Sequence, residues 1–440
     1  MRNKFTDRRA PVERASGFHF DDFNQAKRAF KHLQQKHEQK KYLKPPIYTR
    51  YGNPSVSSAE KAIKKLEGCE WVVLTSSGMS AIDVALSIFP KKQKNAKNPR
   101  NNPWLFFSDI YGGTKGYIEK ILKEYHGITV DYFPYEQTKG FRIKNEKFDL
   151  EKLKARLDEV KPAVLFLESI SNPLLIVPDM QEIVGYAKKF GTKVVVDNTF
   201  ATPLLWNPLS AKDDSAPDLI IHSTTKYLGG HGNLTAGVVC GNDSELYEEA
   251  LEYRKLTGCI LSPDDAYRLE TQLLTLDLRF KRQCENAFEL ATFLNEKCSD
   301  KVSVVRYPGL PDHPTFTQAS ELFSPKAEKN GFGAMITFEL KGWIGDEGGY
   351  EDLETDNQTV AHENSCRTFI DAVNRDEICP VHYVPTLGDA QSILLHASSV
   401  FTKNEPHLPH GMIRFSVGCE PVEDLKKSLR QALDAVELKK

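Results

Sequence analysis

From residue 58 to residue 226, short apolar runs rich in β-branched and aromatic residues alternate with amphipathic stretches of roughly ten to fifteen residues. "SAEKAIKKLEG" precedes "WVVLTSS", and "SAIDVALSIF" precedes "WLFFSD". Then come "GYIEKILKEYHG", "ITVDYFPY", "DLEKLKARLDEV", "AVLFLES", "MQEIVGYAKKFG", "KVVVDNTF" and "LIIHSTTK". The strand-like runs show no in-and-out polar alternation, so both of their faces are expected to be covered. Parallel strands joined by helical crossovers meet that demand, which predicts an α/β fold with a mostly parallel sheet.

After residue 262 the rhythm changes. "SPDDAYRLETQLLTLDLRFKRQCENAFELATFLNEKC" predicts a long helix, broken once, with Ser262 as N-cap, Pro263 at the first helical position and acids in the first turn. "VSVVRYPGL", "GAMITFEL", "VHYVP" and "MIRFSVG" read as strands, and "NSCRTFIDAVN" and "VEDLKKSLRQALDAVE" as helices, of a smaller α+β domain. The predicted division is an arm over 1–57, a large domain over 58–262 and a small C-terminal domain over 263–440. In the arm, Phe23, Ala26, Phe30 and Leu33 recur at helical spacing, and the helix read over 18–44 ends in a basic, solvated stretch stopped by Pro45 and Pro46. Residues 91–102 read as a solvent loop. Residues 345–357, with six acids, read as a surface insertion without an assigned role.

Composition excludes several classes of function. Net charge is −2 over 440 residues, so no global field draws nucleic acid or an anionic membrane, and no apolar run reaches membrane-spanning length. The basic N-terminus lacks the apolar core of a secretory signal and holds Asp7 and Glu13, which predicts a cytoplasmic protein. Eight scattered cysteines form no Cys-x-x-Cys pair and read as free thiols in a reducing compartment. His222 and His231 lack a third ligand, so no metal is expected.

Ligands of such sheets bind beyond the carboxyl ends of the strands. There the chain places Ser76-Ser77-Gly78-Met79 at a helix start, then Tyr111, Asn172 and Asp197, and finally Lys226 beside Ser223 and Thr225. Asp197 and Lys226 lie one strand–helix–strand crossing apart, at neighbouring strand ends. A buried ion pair is one reading. The other joins more of the residues: a desolvated lysine for an aldehyde, a carboxylate for a pyridinium nitrogen, an aromatic ring to stack on, and hydroxyls with a helix N-terminus for a phosphate. That is the set pyridoxal phosphate requires.

"YTRYGNPS", "SSGMSAIDVA", "DIYGGT", "DNTFATP", "HSTTKYLGGHGNLTAGVV", "TLGDAQS" and "IRFSVGCEPVEDL" together resemble the signature segments of the Cys/Met-metabolism family of pyridoxal-phosphate enzymes, in order, from about residue 45 to the C-terminus. That family includes cystathionine γ-synthases, γ-lyases and β-lyases, O-acylhomoserine sulfhydrylases and methionine γ-lyases. The resemblance implies the aspartate-aminotransferase-like fold type I, with a seven-stranded sheet. It implies β- or γ-elimination, or γ-replacement, on sulfur- or homoserine-derived amino acids. It makes Lys226 the covalent anchor and proton shuttle, Asp197 the partner of the ring nitrogen, and Tyr111 the stacking residue with an acid–base role. Gly78, Met79, Ser223 and Thr225 would hold the phosphate, together with Tyr48 and Arg50 from a neighbouring subunit. Arg414 would bind the substrate carboxylate, with Asn172, also a cofactor ligand, and Thr386 assisting near the ring oxygen and the carboxylate. The implied assembly is a tetramer, a dimer of catalytic dimers, with the arm against the neighbour.

The chain departs from the family pattern at several places. Residues 31–44 look inserted, "SISNP" replaces the usual Thr/Ser-Pro-x-Asn-Pro, Asn233 stands where an acid is usual, and Thr386 stands for a serine. Pro385 occupies a position that is often acidic in members recognising a distal amino group. An aminotransferase of the same fold and a non-catalytic cofactor-binding scaffold are the alternatives.

Overall fold

The computed structural model describes residues 11–33, 46–89, 102–133, 149–211, 215–323, 331–341, 356–377, 379, 381–401 and 408–436. The readings made for 34–44, for nearly all of 91–102 and for most of 345–357 fall outside the described residues.

Seven strands build the larger sheet: β1 (Trp71–Thr75), β2 (Trp104–Phe107), β3 (Val130–Phe133), β4 (Val164–Glu168), β5 (Lys193–Asp197), β6 (Leu219–His222) and β7 (Gly237–Gly241). Their order is β1-β7-β6-β5-β4-β2-β3. β3, β2, β4, β5 and β6 run parallel, while β7 is antiparallel to both β1 and β6. Every residue of β1, β2, β4, β6 and β7 is buried, as expected of strands covered on both faces.

The second sheet has the order β10-β11-β12-β9-β8, from β8 (Val302–Arg306), β9 (Met335–Leu340), β10 (His382–Tyr383), β11 (Ile393–His396) and β12 (Met412–Ser416). It forms a separate apolar core with the helices Leu276–Lys297 and Val422–Ala435.

Several elements escaped or depart from the sequence pattern, β7 and the helices Ser244–Thr257 and Phe316–Phe323 among them. β11 is a short apolar run whose periodicity cannot tell strand from buried helix. "GYIEKILKEYHG" forms a short α-helix, Gly112–Tyr117, that continues as a π-helix over Ile118–Tyr125. The helix predicted from residue 58 begins at Pro54, because the Asn53 side chain caps the Ser55 and Val56 amides and Pro54 suits the first turn.

The long helix after residue 262 is broken at Leu274–Thr275 into Pro263–Leu273 and Leu276–Lys297, and Ser262 Oγ accepts from the Asp265 amide. In the arm helix, Phe23–Leu33, Ala29 is buried. Phe23 and Phe30, predicted as part of an apolar stripe, are 79% and 49% exposed in the single chain. All eight cysteines are unpaired thiols, six of them buried. Among the described residues no helix is long and apolar enough to cross a membrane.

Candidate active site

The carboxyl ends of β1, β4, β5 and β6 open onto one cleft, because parallel strands place their ends on a common edge. After β1, Ser77 caps the helix Gly78–Ser87 through the Ser80 amide. As the first two helical residues, Gly78 and Met79 have no intrahelical acceptor for their N–H groups. Gly78 lies against the turn after β6. A Cβ there would fall 2.7 Å from the Ser223 Cβ and 2.8 Å from its Oγ, so only glycine admits this approach.

Lys226 sits in a tight turn after β6, its amide donating to the Ser223 carbonyl and its carbonyl accepting from Gly230. Arg279 of the helix Leu276–Lys297 clamps this turn through the carbonyls of Tyr227 and Leu228. Gly230 has φ +66°, and a Cβ on it would collide with the Arg279 guanidinium at 1.8 Å. Asn233 receives a 2.8 Å bond from Gln272 on the helix Pro263–Leu273, so its amide ties the end of the same loop to that helix.

The small domain closes the cleft. Lys226 Nζ donates to Thr386 Oγ1 at 2.8 Å. Arg414, buried on β12, donates from Nη1 to Asn172 Oδ1 at 3.1 Å and from Nη2 to the Thr386 carbonyl at 3.3 Å. Burial, with Arg414 adding to it, lowers the Lys226 amine to about 8. Burial also lowers Arg414 to about 10.

Asp197 does not pair with Lys226. Its Oδ1 accepts both the Thr199 amide, at 3.0 Å, and the Thr199 hydroxyl, at 2.5 Å. Desolvation pushes its pKa up, against the Thr199 bonds and the field of His222. No bond to a described residue uses Oδ2, which leaves that oxygen for a ligand's N–H.

The remaining sequence-predicted residues divide. Tyr111 caps the helix Gly112–Tyr117 at the cleft mouth, 44% exposed, with its amide held by Glu168 Oε1 at 2.7 Å. Asn172 precedes a cis peptide bond to Pro173. Ser223 presents its hydroxyl to the Gly78 turn. The Thr225 hydroxyl is engaged with Ala236, accepting from its amide at 2.9 Å and donating to its carbonyl at 3.1 Å. Tyr48 and Arg50 lie elsewhere: Arg50 donates to the Lys255 carbonyl at 2.7 Å and stacks over Tyr48 and Tyr51.

Three buried groups were missed in the sequence. Glu168 ends β4 as Asp197 ends β5, and the rule that a carboxylate ending an apolar strand needs a partner would have found it. Glu67 and His222 form a fully buried pair between the helix Pro54–Glu67 and β6. Nothing in sequence spacing couples residues that far apart. Asp109 takes the Ser171 hydroxyl in a short bond. Among the described residues no cluster of three or more His, Cys, Asp or Glu side chains is arranged for a metal.

A half-buried amine of lowered pKa, a desolvated carboxylate with one oxygen unused, and free helix N–H groups behind a glycine-only approach fit pyridoxal phosphate. The comparisons agree with this fit. A family model described as Cys/Met metabolism PLP-dependent enzyme matches residues 1–434. The chain is 33% identical over 389 residues to a cystathionine beta-lyase of Lactococcus lactis subsp. cremoris (strain MG1363), covering 88% of each chain. It is 33% identical over 399 residues to an L-methionine gamma-lyase of Pseudomonas putida, covering 88% of this chain and 85% of that one. Its fold matches a cystathionine gamma synthase from Xanthomonas oryzae pv. oryzae, solved with aminoacrylate and cysteine, with a TM-score of 0.74 and 29% identity over 97% of this chain and 92% of that one.

Proposed function

This chain belongs to the Cys/Met metabolism PLP-dependent enzyme family, and on that premise we propose that it catalyses elimination or replacement at Cβ or Cγ of a sulfur- or homoserine-derived amino acid. The observation that carries the reading is the meeting of Lys226 and Arg414 on one residue, Thr386, through its hydroxyl and its carbonyl. An amine able to move protons and a guanidinium able to bind a carboxylate are thereby held to the same residue.

Pyridoxal phosphate, when bound, supplies the electron sink that acidifies the substrate's Cα–H. The protein's own residues do the rest. Arg414 binds the α-carboxylate. Lys226, with its lowered pKa, takes the Cα proton and returns it at the next carbon or the leaving group. Asp197, through Oδ2, would pair with the ring nitrogen, and Tyr111 would stack on the ring. Gly78 and Met79 N–H groups and the Ser223 and Thr225 segment would hold the phosphate. Tyr48 and Arg50 complete the phosphate site of a second copy in a dimer of dimers, a reading supported by their lack of any bond to the Lys226 site of their own chain.

The segment before Thr386, Tyr383-Val384-Pro385, carries no charge and is solvent-exposed at the cleft. A distal ammonium finds no carboxylate there, so the favoured substrates end in an uncharged group. The test is turnover of methionine, cysteine, O-acetyl- and O-succinylhomoserine and cystathionine, each with and without an added thiol, assaying keto acid, ammonia and thioether. Turnover of methionine or O-acetylhomoserine above cystathionine and O-succinylhomoserine, whose distal ends are charged, is expected. Turnover of cystathionine alone would remove the uncharged-end reading, and no turnover of any substrate by a yellow, folded protein would favour the non-catalytic scaffold.

A further inference from the structure

Asp197 has a carboxyl neighbour that the proposed function does not use. In the ladder between β4 and β5, Glu168 is the direct partner of Asp197. Paired residues on adjacent strands lie about 5 Å apart and point to the same face. Glu168 is 6% exposed, and its Oε1 accepts the Tyr111 amide at 2.7 Å. One side chain therefore touches the backbone of the residue that covers the ring and borders the residue that faces the ring nitrogen.

We infer that Glu168 is a positioning residue of this site, fixing the Tyr111 turn from beside Asp197. The inference rests on the reading that Asp197 and Tyr111 face the cofactor.

Charge accounting supports it. The groups facing Glu168 are Asp197 on β5, Asp109 after β2, and Lys115 on the helix Gly112–Tyr117, with Arg306 of β8 beyond Asp109. Three carboxyls crowd this edge against one nearby lysine whose own charge burial disfavours. Like charges at strand spacing in a desolvated site do not all ionise. Burial, then Asp197, pushes Glu168 well above the usual carboxyl range, and burial raises Asp109 to about 6. Burial raises Asp197 as well, against two bonds from Thr199 that favour its anion. What Glu168 gives the site is its hydrogen bond from the Tyr111 amide.

Two conservative variants of the holoenzyme separate this role from a merely ionic one. Glu168→Gln keeps the length and the acceptor while removing the charge. Glu168→Asp keeps an ionisable carboxyl but draws it back from the Tyr111 amide. The readouts are the induced circular dichroism of the cofactor's visible band, which needs no substrate, and kcat.

Glu168→Gln is expected to stay within about threefold of the parent in both, and Glu168→Asp to lose about tenfold in kcat and about half of the visible dichroism at unchanged cofactor content. The reverse order, with Gln damaging and Asp harmless, overturns the proposal, as does equal and native behaviour of both. A parent protein that shows no visible band, or is not labelled at Lys226 by borohydride, is a failure of the proposed function instead, seen before any variant is made.

Discussion

Lys226 Nζ and Thr386 Oγ1 lie 2.8 Å apart although 160 positions separate them in the chain. The bond ties the lysine at the carboxyl edge of the large sheet to the loop between β10 and β11 of the small one. Burial makes the Lys226 ammonium costly, and the Thr386 hydroxyl orients its hydrogens toward one acceptor in the resting protein. Thr386→Val keeps the shape and removes the acceptor. It is expected to lower kcat about tenfold with cofactor content unchanged, while Thr386→Ser retains activity. Steady-state kinetics on the best substrate of the panel above decides this, and an unaffected kcat in the valine variant removes the role.

The lowered pKa of Lys226 sets a pH dependence. Only the neutral amine attacks an aldehyde. With the amine at about 8, its neutral fraction rises as pH climbs through 8 and levels above it. The rate of pyridoxal-phosphate uptake by the cofactor-free protein, followed in the visible band, should therefore rise about tenfold per unit below pH 8 and flatten between 8 and 10. A rate still climbing to pH 10.5 would show that the cleft does not desolvate the amine.

Arg50 contacts Lys255 rather than the Lys226 site of its own chain, which makes subunit complementation the direct test of the shared site. Arg50→Ala and Lys226→Ala proteins are each expected to be nearly inactive. Mixed and allowed to exchange subunits, they form hybrids in which one site has both native residues. Activity should return toward about a quarter of the parent value, the share a random mixture of two chains allows. Hybrids that form, by tagged-subunit pull-down, without regaining activity would place Arg50 outside the neighbour's site.

Glu67 and His222 are both fully buried and bonded to each other between a helix and β6. Removing one leaves the other polar and unpartnered in the core. Glu67→Ala is expected to cost about 3–5 kcal/mol in urea unfolding, provided the assembly state is held fixed. The double change Glu67→Leu with His222→Phe should recover part of that loss, because two apolar groups leave nothing unsatisfied. A single variant as stable as the parent would show that the pair contributes nothing.

Much of this was legible in the chain. The repeated apolar runs predicted the strands, since full burial on both faces demands uninterrupted apolar residues, and the residues ending those runs supplied Tyr111, Asp197 and Lys226. Glu168 was legible by the same rule and was passed over. β11 was not, because four apolar residues carry no decisive period. The outward face of Phe23 and Phe30 was not either, since periodicity marks an apolar stripe without saying what covers it.

By itself the sequence determined which side chains end the buried strands, and with them the chemistry of an amine, a carboxylate and a helix N-terminus. Local rules suffice for that: burial period, capping and the demand that a buried charge be answered. Only the tertiary structure decided which partner answers which group. Asp197 is met by Thr199 and not by Lys226, Lys226 by Thr386, Arg414 by Asn172, and Glu67 by His222. Apart from the Asp197–Thr199 bond, which spans only two residues, these pairings depend on the strand order, on β7 reversing between β1 and β6, and on the small domain lying over the cleft, and they are long-range outcomes of packing that spacing along the chain does not encode.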